Sequence, residues 1–174
     1  MSHSQVLKKV GLLGCGAIGT ELALAIDSGK INAALTHIYD FDKGKSEALA
    51  SRLATKPVIV ENPHMLSSNP VDIVVEAASQ DAVRNHALSI LQNKRDLMIM
   101  SVGALLDESV LDVLLEACSE FKKNIYLPSG AIAGLDAIKS VKSEIDSLSI
   151  TTIKNPRSLK GAKYFETNKL GLDG

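Results

Sequence analysis

Val10–Ile26 reads VGLLGCGAIGTELALAI. An apolar run meets three glycines, Gly14, Gly16 and Gly19, and Leu22, Ala23 and Ile26 follow at helical spacing. This predicts a strand over Val6–Leu13, a tight turn, and a helix over Ala17–Ser28 that stops at Gly29. The turn GCGAIG fits G-x-G-x-x-G, a weak pattern when it stands alone. Here a second short strand, Thr36–Tyr39, ends in Asp40, 21 residues after Gly19. Strand, glycine turn, helix and acid in that register are the signature of a dinucleotide site. Gly14 permits the turn, Gly16 lets the backbone approach a pyrophosphate, and Gly19 lets the helix pack close to the strand. The helix N-terminus directs amide hydrogens and partial positive charge at the phosphates. Asp40 is placed to accept from ribose hydroxyls and to repel a 2′-phosphate. NAD is therefore favoured over NADP, although Lys43 and Lys45 temper that preference.

The alternation continues along the chain. Helices are expected at Lys43–Ala54, Asp81–Gln92, Glu108–Phe121 and Leu135–Lys142. Strands are expected at Val58–Val60, Val71–Ala77, Leu97–Ser101, Asn124–Leu127 and Leu148–Lys154. Strands alternating with helices of ten or more residues imply βαβ units, hence a Rossmann-type, doubly wound parallel sheet of the α/β class. The texture changes at PSGAIAG, Pro128–Gly134, and becomes polar and glycine-spaced after Pro156. Residues 1–128 read as the dinucleotide-binding domain, and 129–174 as the opening of a second domain. Ligands of such sheets lie beyond the carboxyl ends of the strands. Those ends, Glu76–Ser79, Ser101–Ala104 and Pro128–Ala131, are mostly small residues that would let a flat cofactor approach the backbone. Glu76, at the end of a buried strand with no base partner in view, reads as a carboxylate bonded to nearby backbone amides.

Composition narrows the function classes. The hydrophobic fraction is 45%, aromatics are 3% and Trp is absent, so the core is built from Ala, Val, Ile and Leu, which suits parallel strands under helices. A net charge of −1 without a basic stripe points to neither nucleic acid nor an anionic membrane. No apolar run approaches the ~18 residues of a membrane helix, and MSHSQVLKK lacks a signal-peptide core. Cys15 and Cys118 make no disulfide framework and read as reduced thiols of a cytoplasmic protein. No Ser-His-Asp arrangement, metal-ligand spacing or Walker loop is present. Of the four histidines, His3 is terminal, His37 lies in a strand and His64 in a Pro-flanked loop. His86 aligns with Val83, Ala87 and Ile90 on an apolar helix face and reads as a core or boundary residue. No catalytic acid or base emerges.

KVGLLGCGAIG, VDIVVEAAS, SVGAL (Ser101–Leu105), LPSGAIAGLDAI (Leu127–Ile138) and TTIKNPRSLKG (Thr151–Gly161), in that order, resemble the aspartate dehydrogenase family. The resemblance spans nearly the whole chain, and PSGAIAGLDA with SVGAL is its most specific part. It implies a nicotinamide-binding domain followed by an α+β catalytic domain. It also implies oxidation of L-aspartate to iminoaspartate, supply of NAD biosynthesis, use of NAD or NADP, and a homodimer. Ala131 matches a cofactor-contacting position of the family. The cofactor-binding set is then Gly14, Gly16, Ala17, Ile18, Gly19, Asp40, Ser79, Val102 and Ala131. TTIKNPRSL departs from the family's arginine–lysine–proline pattern at Ile153 and Asn155. Lys154 and Arg157 are the nearest cations for substrate carboxylates. The family's later KNANVA-like and NVH-like segments, the second carrying the active-site histidine, have no counterpart in the 174 residues. The chain is therefore expected to be the N-terminal part of such an enzyme. A non-catalytic NAD(H)-binding module or redox sensor, and a homoserine dehydrogenase-like enzyme, stand as alternatives.

Overall fold

The computed structural model describes residues 6–130, 135–151, 153 and 155. The chain divides into two compact units, Met1–Ala131 and Ile132–Gly174. The first holds strands β1 (Lys8–Leu13), β2 (Ala33–Tyr39), β3 (Val58–Ile59), β4 (Ile73–Glu76), β5 (Asp96–Ile99) and β6 (Ile125–Tyr126). Its helices are α1 (Ala17–Asp27), α2 (Lys43–Arg52), α3 (His64–Ser68), α4 (Gln80–Gln92) and α5 (Glu108–Phe121). Every strand pair is parallel, in the order β3-β2-β1-β4-β5-β6. This is the Rossmann order, and its switch point lies between β1 and β4.

Period-2 alternation divides the core between the two faces. Leu12 and Val75 pack with Ala23 of α1 and Leu49 of α2. Their neighbours Leu13 and Val74 pack with Leu66 of α3, Val83 and Ile90 of α4, and Leu114 of α5. Each Val, Leu or Ile among them contributes about 1.5–3 kcal/mol by leaving water. Register then levels the strand ends. Leu13 pairs with Tyr39 on one side and Glu76 on the other, and Glu76 pairs with Ile99. Gly14, Asp40, Ala77 and Met100 consequently leave the sheet at one edge.

The crossovers are fastened by short polar side chains. Asp42 caps α2 by accepting from the Gly44 amide, and Ser79 caps α4 by accepting from the Ala82 amide. At the far end of α1, Asp27 accepts from the amides of Ala54 and Thr55 at 2.9 and 2.8 Å and from Thr55 Oγ1 at 2.6 Å. The Thr55 hydroxyl, then the two amides, hold the Asp27 carboxyl below its ordinary value of 3.8. A depressed carboxyl stabilises the fold above its unfolded value, and that contribution fades as pH falls through the folded value. Asp27→Asn is therefore expected to be less stable than wild type near neutrality and to lose less stability on acidification. Urea titrations at about pH 6 and about pH 3 check this; parallel losses in both proteins would show that Asp27 does not contribute.

Three local differences from the sequence reading have physical causes. The Pro63-flanked segment expected as loop forms the one-turn α3, which tucks Leu66 into the core. Val102–Leu106 winds into a 3-10 turn that buries Ala104. The strand expected at Leu148–Lys154 is corrected: residues 148–151 and 153 carry no regular structure. β-branched content favours a strand only when a neighbour takes its amides and carbonyls, and no described strand pairs with this segment. Thr152 and Lys154 lie outside the described residues. The second unit itself contributes α6 (Leu135–Ser140) and a 3-10 turn at Lys142–Glu144.

Candidate functional site

The glycine turn is built by close approach. Gly14 sits at φ +103°, where a side chain is strained, and a Cβ there would lie 2.6 Å from the Ala77 carbonyl oxygen. A Cβ on Gly19 would lie 2.0 Å from the Gly14 carbonyl oxygen, so α1 meets the turn backbone to backbone. Gly16 differs: nothing lies within 4 Å of where its Cβ would be. It begins α1 with no side-chain cap. The first-turn amides of Ala17 and Ile18 thus have no side-chain cap at the positive end of the helix.

Asp40 closes the turn from β2. Its Oδ2 accepts from the Cys15 amide at 2.7 Å and its Oδ1 from the Asp42 amide at 2.9 Å. Each oxygen retains acceptor capacity for a ligand hydroxyl. Cys15 is buried in the turn, and its thiol is pushed up to about 12, first by burial and then by the Asp40 charge. At neutral pH it is an inert packing residue. Lys45 reaches the same place, whereas Lys43 is turned to Glu47 in an exposed i,i+4 pair at 3.6 Å.

These groups open onto one cleft of about 280 Å³. Gly14, Gly16, Asp40 and Ser79 line it with Lys45, the charge the sequence set beside Asp40, and they are joined by Tyr39, Phe41, Ala82 and His86, which the sequence reading left out of the site. His86 stands four residues after Ala82, so both share one side of α4. That i,i+4 pair, counted from the Ser79 cap, was the available signal. Partial burial keeps the His86 imidazole below the usual 6.5, hence neutral at pH 7. Ala17, Ile18 and Gly19 form the first turn of α1, with Ile18 exposed and Gly19 buried. Val102 starts the turn after β5 and is not in the cleft lining. Ala131 and Arg157 lie outside the described residues, as does Lys154.

Glu76 is buried to 1% exposure and organises two loops. Its Oε1 accepts from the amides of Ala78 and Ser79 at 2.8 and 2.9 Å and from Ser101 Oγ at 2.9 Å. Its Oε2 accepts from the Ser101 amide at 3.0 Å. The structural role read for it from the sequence is the one it has. Among the described residues, no group of three or more His, Cys, Asp or Glu could hold a metal ion, and no helix is long and apolar enough to cross a membrane.

The chemistry of this cleft fits a dinucleotide. It offers an uncapped helix N-terminus, a glycine with room in front of it, and a carboxylate with spare acceptor capacity, all at the switch point. Residues 14–128 match the family model described as the NAD-binding domain of homoserine dehydrogenase. The chain is 65% identical over 167 residues to an L-aspartate dehydrogenase of Nitrosopumilus maritimus, covering 96% of this chain and 61% of the relative. It is 42% identical to one of Methanocella arvoryzae, covering 95% and 61%. The chain thus spans about three fifths of the length of these curated relatives. Among solved structures, aspartate dehydrogenase from Thermotoga maritima superposes with a TM-score of 0.62 at 26% identity, covering 95% of this chain and 70% of that one. The WlbA dehydrogenase from Bordetella pertussis, in complex with NADH and UDP-GlcNAcA, shares the fold at TM-score 0.63 and 20% identity, over 79% of this chain and 42% of that one. By the match over residues 14–128 the chain belongs to the family of homoserine dehydrogenase-type NAD-binding domains, and the resemblance of its motifs to aspartate dehydrogenases extends to 65% identity with a curated member.

Proposed function

We propose that this chain is the cofactor-binding part of an L-aspartate dehydrogenase that prefers NAD to NADP. The observation that carries the reading is the pairing of the open Gly16 turn with the Asp40 carboxylate in one cleft. Gly14, Gly16, Ala17, Ile18 and Gly19 receive the pyrophosphate, and Asp40 the adenosine ribose. Ser79 and Val102 lie on the side of the nicotinamide, and Ala131 is the cofactor-contacting position that the family resemblance implies. A bound nicotinamide would supply the hydride acceptor for oxidation of L-aspartate at Cα, with the amine releasing its protons to solvent to give iminoaspartate. Residues 1–128 are then the dinucleotide domain and 129–174 the opening of the substrate domain, with Lys154 and Arg157 as candidate partners of the substrate carboxylates. Family resemblance supports a cytoplasmic homodimer that feeds NAD biosynthesis. The test is aspartate-dependent reduction of NAD by the full-length protein, run beside L-homoserine. Faster turnover of homoserine, or turnover of neither, overturns the reading.

The NAD preference has its own expected outcome. Asp40→Ser removes acceptors for the ribose hydroxyls and leaves Lys45 beside a 2′-phosphate without the opposing charge. Charge-assisted bonds of this kind contribute about 1.5–3 kcal/mol, so NADH affinity is expected to fall about ten-fold or more. NADPH affinity is expected to hold or rise. Titrations followed by cofactor fluorescence check this, and equal losses for both cofactors would show that Asp40 does not face the ribose.

A further inference from the structure

The two faces of the sheet are not equally covered. From the switch point, β1, β2 and β3 step one way and β4, β5 and β6 step the other. Right-handed crossovers then put α1 and α2 on one face and α4 and α5 on the opposite one. Packing follows that rule: Ala23 of α1 and Leu49 of α2 share one core cluster, and Leu66 of α3, Val83 of α4 and Leu114 of α5 share the other. Within this unit the α1 side of β4 and β5 therefore has no helix of its own. β5 records the difference residue by residue. Leu97 and Ile99, packed under α4 and α5, are 1% and 0% exposed, whereas Met98 and Met100, which alternate with them, are only half-buried. Beside them a hollow of about 280 Å³ runs along α1, its lining including Leu22, Ile26, Ile31, Ile73, Val75 and Met98. Apart from Lys8 and Asn32 that lining is apolar. A parallel sheet is ordinarily covered on both faces.

We infer that this hollow is the seat of an apolar helix face supplied by the same polypeptide after residue 174. The inference rests on the preceding reading only in taking the chain as part of a longer protein. About two fifths of each curated relative lies outside the match, ample for a helix of about three or four turns. The dimensions agree. Neighbouring strands lie about 4.8 Å apart, so β4 and β5 present a strip about 10 Å wide, the diameter of one helix. Packed about 8–10 Å from α1, that helix buries Ile73, Met98 and Met100. Its apolar residues recur at i, i+3 or i+4, and i+7. A second copy fits worse: two-fold pairing sets the same patch against itself, and a hollow against a hollow leaves both unfilled.

The probe is photo-methionine, a diazirine analogue that replaces methionine throughout the full-length protein and needs no designed substitution. After irradiation, peptide mapping is expected to find Met98 or Met100 joined, within one chain, to a peptide from beyond residue 174 with that helical spacing. Links between two chains, links confined to residues 1–174, or capture of water alone overturns the inference. Limited proteolysis is the second readout. Met98→Asp sets a carboxylate beneath the docked helix and is expected to speed cleavage of that segment about ten-fold or more. Met98→Leu keeps the apolar volume and is expected to stay within about three-fold of wild type. Equal cleavage of wild type and Met98→Asp overturns the docking. The links are read on the unsubstituted protein, so they stand even if Met98→Asp folds poorly. A full-length protein that oxidises aspartate but gives no such link loses the inference and keeps the proposed function; one that gives the link and turns over no aspartate does the reverse.

Discussion

Gly16→Ala is expected to leave the fold standing and to abolish useful dinucleotide binding. The Cβ meets no atom within 4 Å, and φ at this position is an ordinary −71°. Exchanging glycine for alanine at a helix N-cap shifts stability by about 1 kcal/mol or less, about 2–4 °C in melting temperature for a chain of this size. The same methyl group stands where the pyrophosphate must approach the Ala17 and Ile18 amides. Losing two charge-assisted bonds of about 1.5–3 kcal/mol each weakens NADH by about a hundred-fold or more. Gly19→Ala is the contrasting case. Its Cβ would lie 2.0 Å from the Gly14 carbonyl oxygen, so the backbone must move. Overpacking of that kind costs about 1–3 kcal/mol, and this contact belongs at the upper end. A thermal melt and an NADH titration on both variants separate the two roles. If Gly16→Ala binds NADH as wild type does, the open space in front of Gly16 is not where the cofactor lies.

That contrast also shows what was legible in the sequence. The spacing of Gly14, Gly16, Gly19 and Asp40 encodes a turn and a helix start, because local sterics dictate where glycine must stand. Level strand ends follow from parallel pairing, so an acid one residue past β2 lands beside a turn one residue past β1. His86 was harder to place. Hydrophobic periodicity assigns it to the face of Val83, Ala87 and Ile90, and it does border that face. Only the strand order brings the end of β2 beside α4 and makes the border a cleft wall. The strand expected at Leu148–Lys154 failed for the complementary reason: β propensity describes a surface that needs a neighbour. Glu76 fell between these cases. Its bonds to Ala78 and Ser79 are local and could be anticipated, but its bonds to Ser101 require β4 and β5 to be adjacent.

Those bonds make Glu76→Gln the second large effect. Four donors converge on the carboxylate, and no donor is needed from it. An amide has one acceptor atom where the carboxylate has two. The least damaging placement keeps the oxygen toward the Ala78 and Ser79 amides and the Ser101 hydroxyl. The new NH2 then faces the Ser101 amide, donor against donor, in a site at 1% exposure. An unsatisfied buried amide costs about 1–3 kcal/mol, and the opposed dipoles add to it, so a loss of about 3 kcal/mol is expected. For a chain of this length that lowers the melting temperature by about 6–12 °C. Glu76→Ala strands all four donors and leaves a cavity; it is expected to be worse, by about 1–2 kcal/mol more. The order matters more than the sizes. If alanine were the milder change, water entering the cavity would be serving the four donors, and the carboxylate would not be the tie between the two loops. If the order holds, Glu76 is the group that fixes the β4–α4 and β5–α5 loops to each other. Those loops carry Ser79 and Val102, so the glutamine variant should also bind NADH more weakly than its melting curve alone accounts for. Titration well below the melting temperature separates that loss from unfolding.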